Sequence, residues 1–110
     1  MSETAPVILQ MDFPFSGPWG EEMAAQLEGL ARDIAAEPGL IWKVWTENAE
    51  AGRAGGIYAF ETEEQAHAYL TKHTNRLAEF GITGVEAKVF RANTALSAFT
   101  HMPFTASPGA

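Results

Sequence analysis

Two hydrophobic periods alternate along this chain, and their order restricts what 110 residues can fold into. Val7, Leu9, Met11, Phe13 and Phe15 recur at every second position, the period of a strand with one buried face. Gly17-Pro18 interrupts that pattern. From Trp19 to Glu37 the apolar residues Met23, Leu27, Leu30, Ala31 and Ile34 then follow the spacing of one helical face. Pro38-Gly39 ends the helix, and Leu40 to Asn48, rich in Trp, Val, Ile and Thr, reads as a second strand. A small, polar stretch from Ala49 to Ala54 suits a hairpin loop into a third strand, Gly55 to Glu61. Thr62 and Gln65 form a capping-box pattern ahead of Ala66, Tyr69, Leu70, His73, Leu77 and Phe80 at helical spacing, with Gly81 as the stop. Val85, Ala87 and Val89 alternate in a fourth strand.

The order βαββαβ specifies an α+β, ferredoxin-like domain over residues 1–97: a four-stranded antiparallel sheet with both crossover helices on one face. Each helix has a single apolar stripe, enough to cover that face and no more. Strands two and three are apolar on both sides, with Trp42 opposing Trp45 and Ile57 opposing Tyr58 and Phe60. The uncovered face would leave several hundred Å² of apolar surface in water, the size that marks an interaction surface. Homodimerisation through the sheet is the expected cover. The alternative is the C-terminal tail, residues 98–110, folding back with Phe99, Met102 and Phe104, and with Leu96 just ahead of it.

Fourteen acidic residues against seven scattered basic ones give a formal charge of −7. That balance repels phosphate-rich partners, so nucleic acid and anionic membrane surfaces are excluded in favour of a small apolar or aromatic molecule. No stretch reaches the length of a membrane span, and the start of the chain lacks a basic segment followed by an apolar run. With no cysteine there is no disulfide framework and no thiolate nucleophile or ligand, and the expected location is cytoplasmic. His67, His73 and His101 include no pair at the spacing of a zinc helix, so no metal site is expected.

Among residues able to do chemistry, His73 stands out, because helical spacing places its imidazole inside the inward stripe of the second helix. A group titrating near neutrality there could take a phenolic proton, leaving an electron-rich anion able to react with oxygen. The alternative is a core histidine bonded to a backbone carbonyl. Arg76, three residues on, could hold an oxyanion or carboxylate of a substrate, although pairing with Glu79 is the simpler expectation. Tyr58, Phe60 and Tyr69, with Met11, Phe13 and Trp42 as neighbours, supply an aromatic wall between sheet and helices suited to a flat ligand. Lys43 and Glu47 share the opposite face of their strand and read as a polar stripe without a required catalytic role.

The stretches Glu37-Pro38-Gly39-Leu40-Ile41-Trp42-Lys43-Val44-Trp45-Thr46-Glu47, Ala54-Gly55-Gly56-Ile57-Tyr58, Lys72-His73-Thr74-Asn75-Arg76-Leu77 and Ala87-Lys88-Val89-Phe90 closely resemble the YdhR family of mono-oxygenases, over residues 7–97. The resemblance implies a dimeric α/β barrel related to the antibiotic-biosynthesis mono-oxygenases. Those enzymes oxidise aromatic or polyketide substrates with molecular oxygen as co-substrate, often without metal or flavin. It also implies a helix histidine bordering the pocket, a place similar to that of His73. Haem-degrading relatives carry a tryptophan where this chain has Phe60, which disfavours haem. The expected function is a cofactor-independent mono-oxygenase acting on a small aromatic or quinol-like compound with His73 as proton acceptor. A non-catalytic binding protein for an apolar metabolite, and an isomerase or cyclase on the same scaffold, are the alternatives.

Overall fold

The computed structural model describes residues 5–103. Along the chain run β1 (Val7–Pro14), α1 (Gly20–Gln26), α2 (Glu28–Ala35), β2 (Leu40–Asn48), β3 (Arg53–Phe60), α3 (Glu63–Glu79), β4 (Glu86–Arg91) and α4 (Thr94–Phe99). The strands form one sheet in the order β2-β3-β1-β4, every neighbour antiparallel, which is the ferredoxin-like arrangement. The first helical stretch is divided where Leu27 leaves helical geometry, yet Leu27 N–H still donates to Met23 O and Ala31 N–H to Leu27 O, so its apolar stripe continues across the break.

Local chemistry accounts for the element ends. The Thr62 hydroxyl accepts the Gln65 N–H at 3.1 Å and caps α3. At the other end Gly81 takes a positive φ of 81°, Ile82 N–H reaches Leu77 O, and Gly81 N–H reaches Ala78 O. That pair of bonds is a Schellman stop, a conformation that glycine adopts without a Cβ penalty.

Register decides which residues meet. Val7, Leu9, Met11 and Phe13 of β1 pair with Phe60, Tyr58, Gly56 and Ala54 of β3, and this set faces the helices. With Met23, Ile34, Ala66, Tyr69 and Leu77 they make the core. On β2 a bulge at Ile41 shifts the pairing: Leu40 lies opposite Phe60, whereas Trp42 lies opposite Ala59 and Lys43 opposite Tyr58. Beyond an extra residue the side chains change faces. Trp42, Val44 and Thr46 therefore lie on the side away from the helices, and Lys43, Trp45 and Glu47 on the helix-covered side, the reverse of the alternation counted from Leu40.

The uncovered face carries Ile8, Trp42, Val44, Ile57 and Phe90, with Val44 53% and Phe90 51% exposed. An ion pair of Arg53 with Asp12 crosses it, with Glu86 3.6 Å from the guanidinium. After β4 the chain turns through α4, capped by Asn93, and returns to β2, where the Trp42 indole N–H donates to Pro103 O at 2.8 Å. No residue of α4 is buried and Phe99 is 82% exposed, so the described part of the tail is tied to the sheet without sealing it. Phe104 and the remainder of the tail lie outside the described residues. No helix among those described is long and apolar enough to cross a membrane.

Candidate active site

Between the helix-covered side of β1–β3 and the helices opens a cleft of about 550 Å³, within the roughly 300–1,000 Å³ usual for small-molecule sites. Phe13, Phe15, Met23, Leu27, Leu30 and Trp45 give it apolar walls. Among the described residues three titratable side chains line it, Lys43, Tyr58 and His73, and not one carboxylate does.

His73 comes from the buried stripe of α3 and is 3% exposed. Its ring stacks on Tyr69 with centroids 5.1 Å apart. Its Nδ1 lies 3.3 Å from Nε and 3.1 Å from Nη2 of Arg76. A guanidinium only donates, so Nδ1 must be the bare, accepting nitrogen and the neutral ring carries its proton on Nε2. Burial, the Lys43 ammonium and Arg76 push the imidazole down to about 3. His73 is thus a neutral N–H donor at ordinary pH. The role of proton acceptor does not fit it, because its basic nitrogen is engaged and its protonated form sits beside two cations.

Arg76 does not line the cleft; it anchors His73 from behind, with Nη1 2.9 Å from Asp33 Oδ2 of α2. Its acid is therefore Asp33 on the neighbouring helix, and not Glu79 one turn away on its own. The Tyr69 hydroxyl donates to the Tyr58 oxygen at 3.3 Å. Burial raises both phenols, Tyr69 to about 12, so each stays protonated and Tyr58 presents an un-ionised hydroxyl at the cleft.

The aromatic wall divides: Phe13 and Tyr58 line the cleft, while Met11, Phe60 and Tyr69 do not and pack within the core. The Ile41 bulge removes Trp42 to the other face of the sheet and brings Trp45 into its place.

Lys43, expected from the sequence only as part of a polar stripe with Glu47 without a required catalytic role, lines the cleft. Its Nζ lies 3.4 Å from the Trp45 ring centre and 4.7 Å from that of Tyr58. Among the described residues no carboxylate lies within ion-pair distance of it. Burial first, and Arg76 second, bring the amine down from 10.5 to about 7. A signal was available in the glycine pair: Gly56 in mid-strand marks a close approach, and a hairpin closing between Asn48 and Arg53 sets Lys43 opposite Tyr58.

No curated protein sequence matches this chain. Among solved structures, one described as a "putative antibiotic biosynthesis monooxygenase" from Deinococcus radiodurans superposes with a TM-score of 0.53 at 20% identity, covering 79% of this chain and 92% of the other. At that identity the likeness speaks for a shared fold. The family described as "Putative mono-oxygenase ydhR" matches over residues 8–103, past the Ser97 limit of the resemblance seen in the sequence and through α4 to the residue that bonds Trp42. With nearly the whole chain matched, this protein belongs to the YdhR mono-oxygenase family.

Proposed function

We propose that this protein is a cytoplasmic, homodimeric mono-oxygenase that oxidises a small aromatic or quinol-like compound with molecular oxygen, without a metal or flavin of its own. The observation that carries the reading is the cleft: apolar walls, no carboxylate among the described residues, and a buried N–H donor, His73 Nε2, held in place by the Asp33–Arg76–His73 chain of bonds. Such a site excludes water around a ring system and offers a hydrogen bond to an oxygen on which negative charge develops. One imidazole nitrogen, one amine and one phenol do not make a metal-ligand set.

For an anthrone-type substrate the overall change balances as a methylene carbon and O₂ giving a carbonyl carbon and one water. Loss of a proton makes the substrate an electron-rich anion. One atom of oxygen then remains on the carbon and the other leaves as water. His73 Nε2–H holds the anion's oxygen during that step. The exposed face with Val44 and Phe90 is the surface on which a second copy would seat, and the exposed Leu96 and Phe99 of α4 add further apolar surface to the molecule.

Oxygen uptake by the pure protein with a panel of anthrones and hydroquinones tests the reaction, with labelled O₂ to count the atoms retained. One labelled atom in the product is expected, with a rate reduced in His73→Ala. Binding of the same compounds without uptake would make the protein a sequestering one. Turnover under nitrogen would make it an isomerase or cyclase, and equal rates for wild type and His73→Ala would remove His73 from the mechanism. Sedimentation equilibrium of the wild type beside Val44→Glu tests the dimer, with a shift to monomer expected in the variant.

A further inference from the structure

We propose that Lys43 is the group that takes the substrate's proton, from a seat left open by Gly56, so that the cleft selects compounds with an ionisable hydroxyl or enol and holds them as anions. The choice of substrate class rests on the mono-oxygenase reading above, whereas the proton transfer needs no oxygen.

The seat is geometric. Lys43 and Tyr58 are direct partners across the β2–β3 ladder, and Gly56 is the next residue of β3 on the same face. A Cβ at Gly56 would lie 2.5 Å from Lys43 Cε and 3.3 Å from the Tyr58 ring. Glycine at this position leaves the lysine stem free to lay its amine against Trp45 and Tyr58; a Cβ there would push Cε aside.

The charges around it favour a free lone pair. From α3 the amine faces His73 and the Arg76 cation, and from β3 the un-ionised phenol of Tyr58. The α1–α2 stretch contributes Met23, Gln26, Leu27 and Leu30 to the cleft, none of them charged. Glu47, two residues beyond Trp45 on the same face of β2, is turned to the Gly20 N–H at 2.8 Å, and Asp33 is held by Arg76. With Glu47 and Asp33 so engaged and no carboxylate among the described residues within ion-pair distance of Nζ, burial leaves the amine close to half unprotonated at neutral pH.

The step is a simple exchange. The substrate O–H bond breaks, its electron pair stays on oxygen, and the proton binds the Nζ lone pair. The ammonium formed then rests against two π faces, which favour a cation. The anion gains the new charge on Lys43 and the His73 N–H. Neither histidine nitrogen competes for the proton, since Nδ1 is engaged by Arg76 and Nε2 already carries hydrogen.

Two measurements under nitrogen test this. With lysine labelled at Cε, the protein has three signals, from Lys43, Lys72 and Lys88. One is expected to titrate near pH 7, and it should be absent from Lys43→Met. Secondly, 4-nitrophenol changes colour on ionising: bound to the wild type it should ionise at lower pH than in free solution, by about one pH unit or more, a tenfold change in phenolate fraction. Lys43→Met should bind the neutral phenol. Lys43→Arg, a permanent cation, should retain phenolate under nitrogen but lose oxygen uptake when assayed in air, and Gly56→Ala should weaken the colour shift while keeping the amine. A Lys43 signal titrating with the other two, or no phenolate on the wild type, or the same phenolate fraction on Lys43→Met, would overturn the proposal. Ionisation of the dye by a protein that consumes no oxygen with any substrate would instead uphold Lys43 and reject the mono-oxygenase.

Discussion

Replacing Lys43 by methionine should make the protein more stable, and by an amount that depends on pH. In the unfolded chain the amine titrates at its ordinary 10.5, and in the fold at about 7. Between those values the unfolded state binds more protons than the folded one, so stability rises with pH through that window. The penalty for burying the ammonium is complete below pH 7 and gone above 10.5. At about 1.4 kcal/mol per pH unit the upper limit at pH 7 is roughly 4 kcal/mol, falling to roughly 1.5 at pH 9.5. Lys43 is only partly buried, so solvent screening reduces the effect by about half. Lys43→Met should therefore gain about 2 kcal/mol at pH 7 and under about 1 kcal/mol at pH 9.5.

Urea unfolding at the two pH values measures this. With a slope typical of a domain this size, the variant's midpoint should rise by about 1 M at pH 7 and by less than half that at pH 9.5. The window avoids two other titrations. Below pH 6.5 His73 contributes, and Lys43 is one of the charges acting on it. Above pH 10 the raised Tyr58 and Tyr69 begin to matter. A gain equal at both pH values would mean that the amine is solvated in the fold. A loss at both would mean that the lysine stem and its contacts with Trp45 and Tyr58 outweigh the charge.

His73 produces a second window on the acid side. Its folded value of about 3 against 6.5 unfolded means that stability is lost as pH falls from 6.5 towards 3, by about 2 to 4 kcal/mol in total. His73→Gln should flatten that segment in urea titrations between pH 6.5 and 4. Arg76→Met removes a cation and the donor to Nδ1, so the His73 ring proton signals should titrate at higher pH than in the wild type. Gly56→Ala should cost little, about 1 kcal/mol or less, read as a small drop in the urea midpoint, because the atom in the way, Lys43 Cε, is the end of a flexible side chain that can move aside.

The elements were largely legible in the sequence because their signals are local. The Thr62 cap, the Gly81 stop and the strand Leu40–Asn48 each depend on residues within a few positions of one another. Two features are not local. The bulge at Ile41 leaves no mark in the alternation of apolar residues, because β2 is apolar on both faces; counted from Leu40, Trp42 falls on the helix side and Lys43 on the other, and a single extra residue exchanges them. The partner of Arg76 is likewise set by packing, for Asp33 lies 43 residues away and the periodicity of α3 points only to Glu79. The helix stripe could place His73 on the inside, but which of its nitrogens is free depends on that same distant pairing.

The arrangement of acids around the cleft separates a site for chemistry from a site for storage. In a chain with twice as many acids as bases, a buried lysine would most easily be satisfied by a carboxylate, yet the acids on the neighbouring elements are engaged elsewhere. Glu47 caps the start of α1 and Asp33 fixes Arg76; neither lies within ion-pair distance of Lys43. Methionine at position 43 would fill the same space, remove the burial penalty and offer an apolar ligand a better wall. A protein that only sequesters an apolar compound gains nothing from the amine. A protein that must draw a proton from its ligand needs a base that is free at neutral pH and a donor that stays neutral beside it, and Lys43 and His73 have those two properties chiefly because both are buried, with the Arg76 cation adding to each. The comparison that follows is of one variant with two ligands: Lys43→Met should bind a neutral methoxyarene at least as tightly as the wild type and lose its preference for the corresponding phenol. If both affinities fall together, the lysine is a structural part of the wall and the proton has another destination.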